Sequence, residues 1–317
     1  MEEILYQRKE EADDSLCILE KLGYSKEQAE KRVQIYENAG KGGSLYETVK
    51  FQVDYNIVIA GSRGDGTGVY ADCDVDKLLV QNHLQCIEKG IDAKIYNNSS
   101  TVLEIDTEDV PNGYTKLKFI SKAENQKDDI HTKIPKFLKD EKGELYLRND
   151  CKLSAGIGRD YTDADCGWIE KNLVHADIKS GPSKPYRIQI PFVSFYILFD
   201  DVLAFRCVFP TIIDTWCNRE RSKDWPSKEL VENVKEMEVY VVPVRVKGSK
   251  DEHLQWRICL TQVELAMVQS FNDTQIKVYG ALKMITKHHL TPRCENITSY
   301  IIKIVLFWQM EQTYCSE

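Results

Sequence analysis

The chain of 317 residues lacks any apolar run long enough to cross a membrane. Its longest candidate, Ile188 to Phe199, is interrupted by Gln189, Pro191 and Ser194, whereas a membrane-spanning helix needs about 20 mostly apolar residues. The first residues are rich in charge and are not followed by the apolar segment that a secretory signal requires. We therefore expect a cytoplasmic protein without membrane insertion.

Paired cysteine spacings are also missing. The ten cysteines include no C-x-x-C pair, and none lies near a histidine at the spacing of a zinc site. In a reducing compartment such cysteines remain thiols, because disulfides persist mainly in oxidising environments. We expect free cysteines and no structural zinc.

The chain has no excess of positive charge. Lys and Arg together number 42 against 50 Asp and Glu, which gives a formal net charge of −8. This balance argues against a surface broadly covered with nucleic-acid-binding charge, although a local basic groove remains compatible with it. An apolar fraction of 42% excludes a mostly disordered chain and is typical of a globular one.

Hydrophobic patterning predicts an α+β fold. Residues 1 to about 50 have helical spacing, and Ser25 followed by Gln28 forms a capping-box pattern. The glycine-containing stretch 38–43 is expected to end that helix.

Strand-like patterns follow along the chain at 56–60, 75–80, 93–96, 116–120, 188–207 and 239–246. Helical patterns dominate after Pro226. We therefore divide the chain into a sheet-containing lobe with an N-terminal helix, residues 1–210, and a helix-rich lobe, residues 211–317.

The segment from Gly61 to Asp76 carries the most chemical information. A strand leads into the Gly61-Ser62 turn, and the following strand presents Asp72 and Asp74 on one face, because side chains alternate along a strand. Two neighbouring carboxylates repel each other unless a hard cation such as Mg²⁺ lies between them. Gly61 allows close backbone approach to a triphosphate, and the Ser62 hydroxyl and amide can bind its oxygens. The alternative is a glycine-rich hairpin with solvated aspartates.

Asp200 is the best candidate for a third acid. It follows the apolar segment Phe192 to Phe199, which reads as a buried strand. A carboxylate at the end of such a strand needs a compensating partner, and a shared metal would supply one.

A Gly-Ser turn followed by Asp-x-Asp resembles the signature of the nucleotidyltransferase superfamily that includes DNA polymerase beta. Further blocks, in order, resemble cyclic GMP-AMP synthase and its Mab domain relatives: Asp200 to Phe205, Trp225 to Ser227, Val239 to Pro243, Trp256 to Glu264, Ile297 to Lys303, and Phe307-Trp308. On these blocks the chain is identified as a member of the cGAS-like receptors of the animal Mab domain family. Two departures are Cys259, where the family has serine, and the missing zinc insertion after Glu264.

This resemblance implies a polymerase-beta-like mixed-sheet lobe followed by a helical Mab-type lobe, and it implies roles for single residues. Asp72, Asp74 and Asp200 would bind two Mg²⁺ or Mn²⁺ ions and carry the catalysis. The residues implied to bind nucleotides are Gly61, Ser62, Arg257, Glu264, Lys277, Ser299 and Tyr300. Spacing leaves Lys283 as an alternative to Lys277 for the phosphate-binding lysine.

The implied function is ligand-activated synthesis of a cyclic dinucleotide from ATP and GTP, for a STING-type receptor of innate immunity. Double-stranded RNA is a candidate activating ligand, read by basic residues of the first helix and of the segment 219–223, although the net charge argues against it. Two alternatives stay open: a catalytically inactive Mab-type interaction protein, and a transferase that forms linear oligonucleotides.

Overall fold

The structure is a computed structural model. It describes residues 2–51, 55–69, 74–96, 98–123, 137–150, 173–175, 184–190, 195–222 and 224–312. The fold is α+β, with a sheet-rich core and helices at both ends of the described chain, as predicted. None of the helices in these ranges combines the length and the apolar character that a bilayer crossing requires.

Of the helices in the described ranges, two precede the first strand, a short one follows it, and five come after residue 208. They are α1 (Glu2–Lys21), α2 (Lys26–Phe51), α3 (Gly61–Gly64), α4 (Pro210–Cys217), α5 (Lys228–Val234), α6 (Thr261–Gln269), α7 (Asp273–Ile285) and α8 (Ser299–Gln312). A π-helical turn continues α7 over Thr286–Leu290.

The described residues form one mixed sheet of eleven strands. They are β1 (Tyr55–Ile59), β2 (Asp74–Glu88), β3 (Thr101–Asp106), β4 (Tyr114–Ser121), β5 (Phe137–Lys139), β6 (Leu145–Leu147), β7 (Leu173–His175), β8 (Lys184–Ile190), β9 (Phe195–Val208), β10 (Val239–Val242) and β11 (Trp256–Cys259). The order is β1-β2-β3-β4-β11-β10-β9-β8-β7, with β6 on β4 and β5 on β6. Because β2 also pairs with β9, six strands form a closed circuit around the core.

The long strands β2 and β9 are the centre of this sheet. They run parallel, with Val75 opposite Phe199 and Leu79 opposite Leu203. Their apolar side chains are buried on both sides of the pair, as expected of strands covered on two faces. The predicted strand at 75–80 is confirmed, and the predicted pair within 188–207 is confirmed as β8 and β9.

The helix α2 begins as predicted and continues past its expected end. The Gln28 amide donates to Ser25 Oγ over 3.3 Å, which caps the helix start. The predicted stop at 38–43 was wrong, since α2 continues to Phe51. A Cβ on Gly40 would lie 3.0 Å from the Ile57 carbonyl oxygen, and one on Gly43 would lie 3.2 Å from Ile57 Cδ1. These glycines serve close packing of α2 on β1.

Two other sequence predictions differ from the structure. The segment 93–96 is a 3₁₀ turn, in which Asp92 accepts from the Lys94 amide over 2.9 Å. The strand β11 was not predicted. In the sheet, β11 pairs with β4 on one side and with β10 on the other, and β10 pairs in turn with β9. The sheet therefore extends beyond residue 210, and the division there stays a prediction.

Close packing also joins α1 and α7. A Cβ added to Gly280 would lie 2.3 to 2.7 Å from three atoms of the Tyr24 ring, which is buried in the core. The ring comes from the corner between α1 and α2, so Gly280 fixes the position of the N-terminal helices on the helical part of the core.

We expect Gly280→Ala to destabilise the protein, because the ring of Tyr24 cannot yield without moving the α1–α2 corner. The expected loss in free energy of unfolding is about 1–3 kcal/mol. Urea unfolding measures it, with Gly42→Ala as the matched control. Apart from the neighbouring backbone of its own helix, no atom of the described residues lies within 4 Å of a Cβ on Gly42, so this helical position should gain about 0.5–1 kcal/mol. Equal effects of the two substitutions would contradict the packing described.

Candidate active site

A cavity of about 850 Å³ lies where the turn after β1, the start of β2 and the middle of β9 meet α7 and α8. Its lining holds both signs of charge. The acidic residues are Asp65, Asp74, Asp76 and Asp200, and the basic ones are Lys283, Lys287, His288 and Lys303. A ligand that carries both cationic and anionic groups would match this lining.

Three carboxylates meet where β2 and β9 pair. Asp76 lies directly opposite Asp200 in the parallel register, and Asp74 lies two residues earlier on the same face of β2. Burial, Asp200 and Asp74 together raise the pKa of Asp76 to about 6, against a smaller opposing effect of Lys303. The Oδ1 atom of Asp200 is buried and has no hydrogen-bond partner within the described part of the chain. A divalent cation between these carboxylates would add positive charge and oppose the effects that raise the pKa of Asp76.

The structure places the predicted acids only in part. Asp74 and Asp200 line the cavity as expected, whereas Asp72 lies outside the described residues. Asp76 was not among the predicted metal ligands and was only the alternative to Asp72, because the alternation argument applies to Asp74 and Asp76 as well as to Asp72 and Asp74. The position opposite Asp200 distinguishes Asp76, and this register cannot be read from the local sequence.

Gly61 lies against the Asp76 carboxylate. It has a φ of +58°, and a Cβ there would lie 1.9 Å from Asp76 Oδ2. The Ala60 amide donates to the Asp76 carbonyl oxygen over 2.9 Å, which holds the turn beside β2. Gly61 and Ser62 line the cavity as predicted, and the absence of a side chain at 61 keeps the turn next to the acids.

The lysine at the cavity is Lys283. Its Nζ donates to Thr67 Oγ1 over 3.2 Å, and Thr67 Oγ1 donates to Asp65 Oδ1 over 2.6 Å. Lys277 instead pairs with Asp273 at 2.6 Å and Glu20 at 3.1 Å and is not among the described residues of the lining. Of the two lysines that spacing allowed, the structure brings the second to the acids.

At the start of α8, Ser299 and Tyr300 line the cavity as predicted, together with Lys303. Lys303 is 8% exposed and donates to Glu264 Oε2 over 2.6 Å. The Tyr300 hydroxyl donates to Glu264 Oε1 over 3.4 Å. Burial and the neighbouring Glu264 raise the pKa of Tyr300 to about 12, so its hydroxyl stays protonated. Lys303 was not predicted as a site residue, although it belongs to the Ser-Tyr-x-x-Lys block.

Arg257 and Glu264 lie beside this cavity and not in its described lining. Glu264 lines an adjacent pocket of about 200 Å³, with Tyr300 shared between the two. Burial raises the pKa of the Cys259 thiol, and the neighbouring Arg257 opposes that effect. These side chains could contact a ligand that extends past Tyr300.

The basic residues considered for RNA have partners within the protein. Lys26 bonds to the Gln269 carbonyl, and Lys31 pairs with Glu27 on the same helix. Arg219 and Arg221 surround the buried Glu311, and Lys223 lies outside the described residues. Binding of RNA by these groups stays a prediction.

Comparison of the chain with protein-family models gives no match, and comparison with curated proteins gives none either. Within the described ranges, no three His, Cys, Asp or Glu side chains already form a complete metal-binding group. Cation binding at Asp74, Asp76 and Asp200 would thus require adjustment of the carboxylates or oxygen atoms from a substrate, which Mg²⁺ accepts readily. The absence of structural zinc stays a prediction.

The raised pKa of Asp76 predicts a dependence of stability on pH. Because the pKa rises from 3.8 in the unfolded chain to about 6 in the folded one, the folded state binds more protons between these values. Stability should therefore fall as pH rises through this window, by roughly 2–3 kcal/mol, and level off above it. Without divalent cations, Asp76→Asn should remove this part of the pH dependence and raise the stability at neutral pH.

Urea unfolding of both proteins from about pH 4 to about pH 7 measures the difference between their free energies of unfolding. Titrating groups that behave alike in the two proteins cancel in this difference. Parallel pH profiles of the wild type and the variant would contradict the described environment of Asp76.

Proposed function

We propose that the protein is a metal-dependent nucleotidyltransferase with a polymerase-beta-like core. The observation that supports this most is the position of Asp76 opposite Asp200 and beside Asp74, with the Gly61-Ser62 turn against the Asp76 carboxylate. The closed circuit of six strands is not the usual sheet of that fold. The proposal therefore rests on the site and on the sequence blocks named above.

The carboxylates fit Mg²⁺ or Mn²⁺. The buried Oδ1 of Asp200 lacks a partner among the described residues, and burial and acidic neighbours raise the pKa of Asp76, so a cation would relieve both. Asp74, Asp76 and Asp200 would hold it, with Asp72 as a further candidate. When bound, such ions stabilise the charge that develops during phosphoryl transfer.

The remaining side chains would bind and orient a nucleoside triphosphate. Lys283 and Lys303 would neutralise its phosphates, and Ser62 and Ser299 would donate hydrogen bonds to phosphate oxygens. Tyr300 is 53% exposed, which leaves a face of its ring free to stack on a base. Arg257 and Glu264 would contact a second nucleotide beyond Tyr300.

The product we propose is a cyclic dinucleotide made from ATP and GTP and recognised by a STING-type receptor, with synthesis switched on by a ligand such as double-stranded RNA. The resemblance to cGAS-like receptors supports this part of the proposal. Cyclic and linear products need the same chemistry at each step, so the cavity does not distinguish them.

A direct test incubates the protein with all four labelled triphosphates, Mg²⁺ or Mn²⁺ and a panel of nucleic acids, and identifies the products by mass. We expect a cyclic dinucleotide and pyrophosphate. Asp74→Asn, Asp76→Asn and Asp200→Asn should each lower the rate by about a hundredfold or more, because each removes charge that holds the cation.

The matched control is Asp214→Asn on α4, an exposed aspartate outside the cavity lining, which should keep the wild-type rate. Linear products would support the oligonucleotide-forming alternative. Triphosphate binding without turnover under every condition would favour an inactive interaction protein, and full activity of a folded Asp76→Asn variant would refute the proposed metal site.

The stacking role of Tyr300 gives a separate prediction. Tyr300→Ala should weaken nucleotide binding by about tenfold or more, since one stacked base contributes about 1–3 kcal/mol. Tyr300→Phe keeps the ring and loses only the long hydrogen bond to Glu264, so its affinity should stay close to that of the wild type. Competition with a fluorescent triphosphate analogue measures both. An equal loss in the two variants would assign the effect to the hydroxyl and not to stacking.

A further inference from the structure

Arg32 of α2 joins two segments that are far apart in sequence. Its Nε donates to the Gly66 carbonyl oxygen over 2.7 Å, and its Nη2 donates to the Gly23 carbonyl oxygen over 2.7 Å. The side chain is half-buried, and burial lowers the pKa of the guanidinium. It thus lies between the α1–α2 corner and the glycine-rich turn instead of pointing into solvent.

Each carbonyl belongs to a part of the cavity wall. Gly23 lies between Leu22 and Tyr24, which both line the cavity. Gly66 lies between Asp65, which lines the cavity, and Thr67, whose hydroxyl accepts from Lys283. A single guanidinium therefore connects both walls through their backbones.

The backbone at these two positions is suited only to this arrangement. Gly66 has a φ of +83° and Gly23 a φ of +99°, both in the left-handed region. A Cβ on Gly66 would lie 2.5 Å from the Ala29 carbonyl oxygen, so the turn packs directly on α2. The carbonyls are held where the separate Nε and Nη2 donors of one guanidinium reach both, whereas lysine carries its donors on a single nitrogen at the end of a shorter side chain.

The neighbouring Lys31 has a different environment. It is exposed and pairs with Glu27 one turn earlier on the same helix. A change at Lys31 therefore affects only the surface, whereas a change at Arg32 removes contacts inside the protein. Lys31 is thus the suitable control for Arg32.

We propose that Arg32 is a positioning residue, which fixes the segment 65–67 against the α1–α2 corner and thereby sets the place of Lys283 for the phosphates of the nucleotide. This inference rests on the proposed function, because it assigns the phosphate contact to Lys283. Arg32 itself does not line the described cavity and does not touch the ligand.

Two measurements on Arg32→Lys test this, with Lys31→Gln as the matched control. Hydrogen exchange of the nucleotide-free protein should become faster in both segments, 20–25 and 61–69, because the shorter lysine side chain cannot place donors where Nε and Nη2 of Arg32 lie. With Mn²⁺ present, the affinity for ATP should fall by about tenfold, as expected for a lost charge-assisted contact, while the affinity for AMP changes by less than about twofold. Lys31→Gln should leave both measurements at wild-type values.

The split between ATP and AMP separates positioning from general loosening. An equal loss for both nucleotides, or faster exchange in only one of the two segments, would overturn the proposal. If the wild type binds no triphosphate, the proposed function fails, and so does the role toward Lys283. The exchange data would then still decide whether Arg32 couples the two segments.

A second pair of variants tests the contact between Thr67 and Lys283 and serves in case Arg32→Lys does not fold. Thr67→Val removes the hydroxyl that accepts from Lys283, and Thr67→Ser keeps it. We expect Thr67→Val to lose the difference in affinity by which ATP binds more tightly than AMP, and Thr67→Ser to retain this difference. The same preference in both variants would show that Lys283 is not placed by this contact.

Discussion

The parallel pairing of β2 with β9 is the constraint on which the site depends. It places Asp76 beside Asp200 in a region that the surrounding apolar strand residues keep largely out of water. Burial and the neighbouring like charges both oppose folding, and the raised pKa of Asp76 reports that cost. The core packing of the two strands outweighs it, because apolar side chains such as Leu79, Val80 and Ala204 are completely buried along the pair. The apolar packing of β2 on β9 thus holds Asp76 and Asp200 side by side, although their charges alone would keep them apart.

Glycines then bring other elements up to this pair. Gly40 lets α2 approach β1, Gly61 lets the turn lie on the Asp76 carboxylate, and Gly280 makes room for the ring of Tyr24. A methyl group would meet a backbone oxygen at Gly40, a ring at Gly280 and the Asp76 carboxylate at Gly61. Close contacts at these glycines therefore bring the walls of the cavity together. The side chains of Arg32 and Lys283 then connect neighbouring segments of these walls through hydrogen bonds.

The sequence predicts much of this fold, and it fails where distant contacts decide. The prediction of a strand at 75–80 located the first part of β2, which continues to Glu88, and the apolar run 188–207 located β9 together with the end of β8. The end of α2 was misjudged, because Gly40 and Gly43 look like a helix stop unless the strand that packs on them is known. For the acids, period-two alternation treats 72, 74 and 76 alike, and only the register against Asp200 singles out Asp76. Likewise Lys277 and Lys283 differ in their partners on other elements, which no local pattern reveals.

The cavity holds carboxylates and lysines in separate places. Asp74, Asp76 and Asp200 stand together and would be stabilised by a cation, whereas Lys283 is held by the hydroxyl of Thr67, a neutral partner. Lys303 donates a hydrogen bond to Glu264, and its positive charge also acts on Asp76, whose pKa it lowers. A free anion would be repelled by the carboxylates, and a free cation by the lysines. Under the proposed function, a metal-bound polyphosphate would match both groups, with the acids holding the metal and the lysines binding phosphate oxygens. Such a complex would therefore fit this distribution of charge better than either component alone.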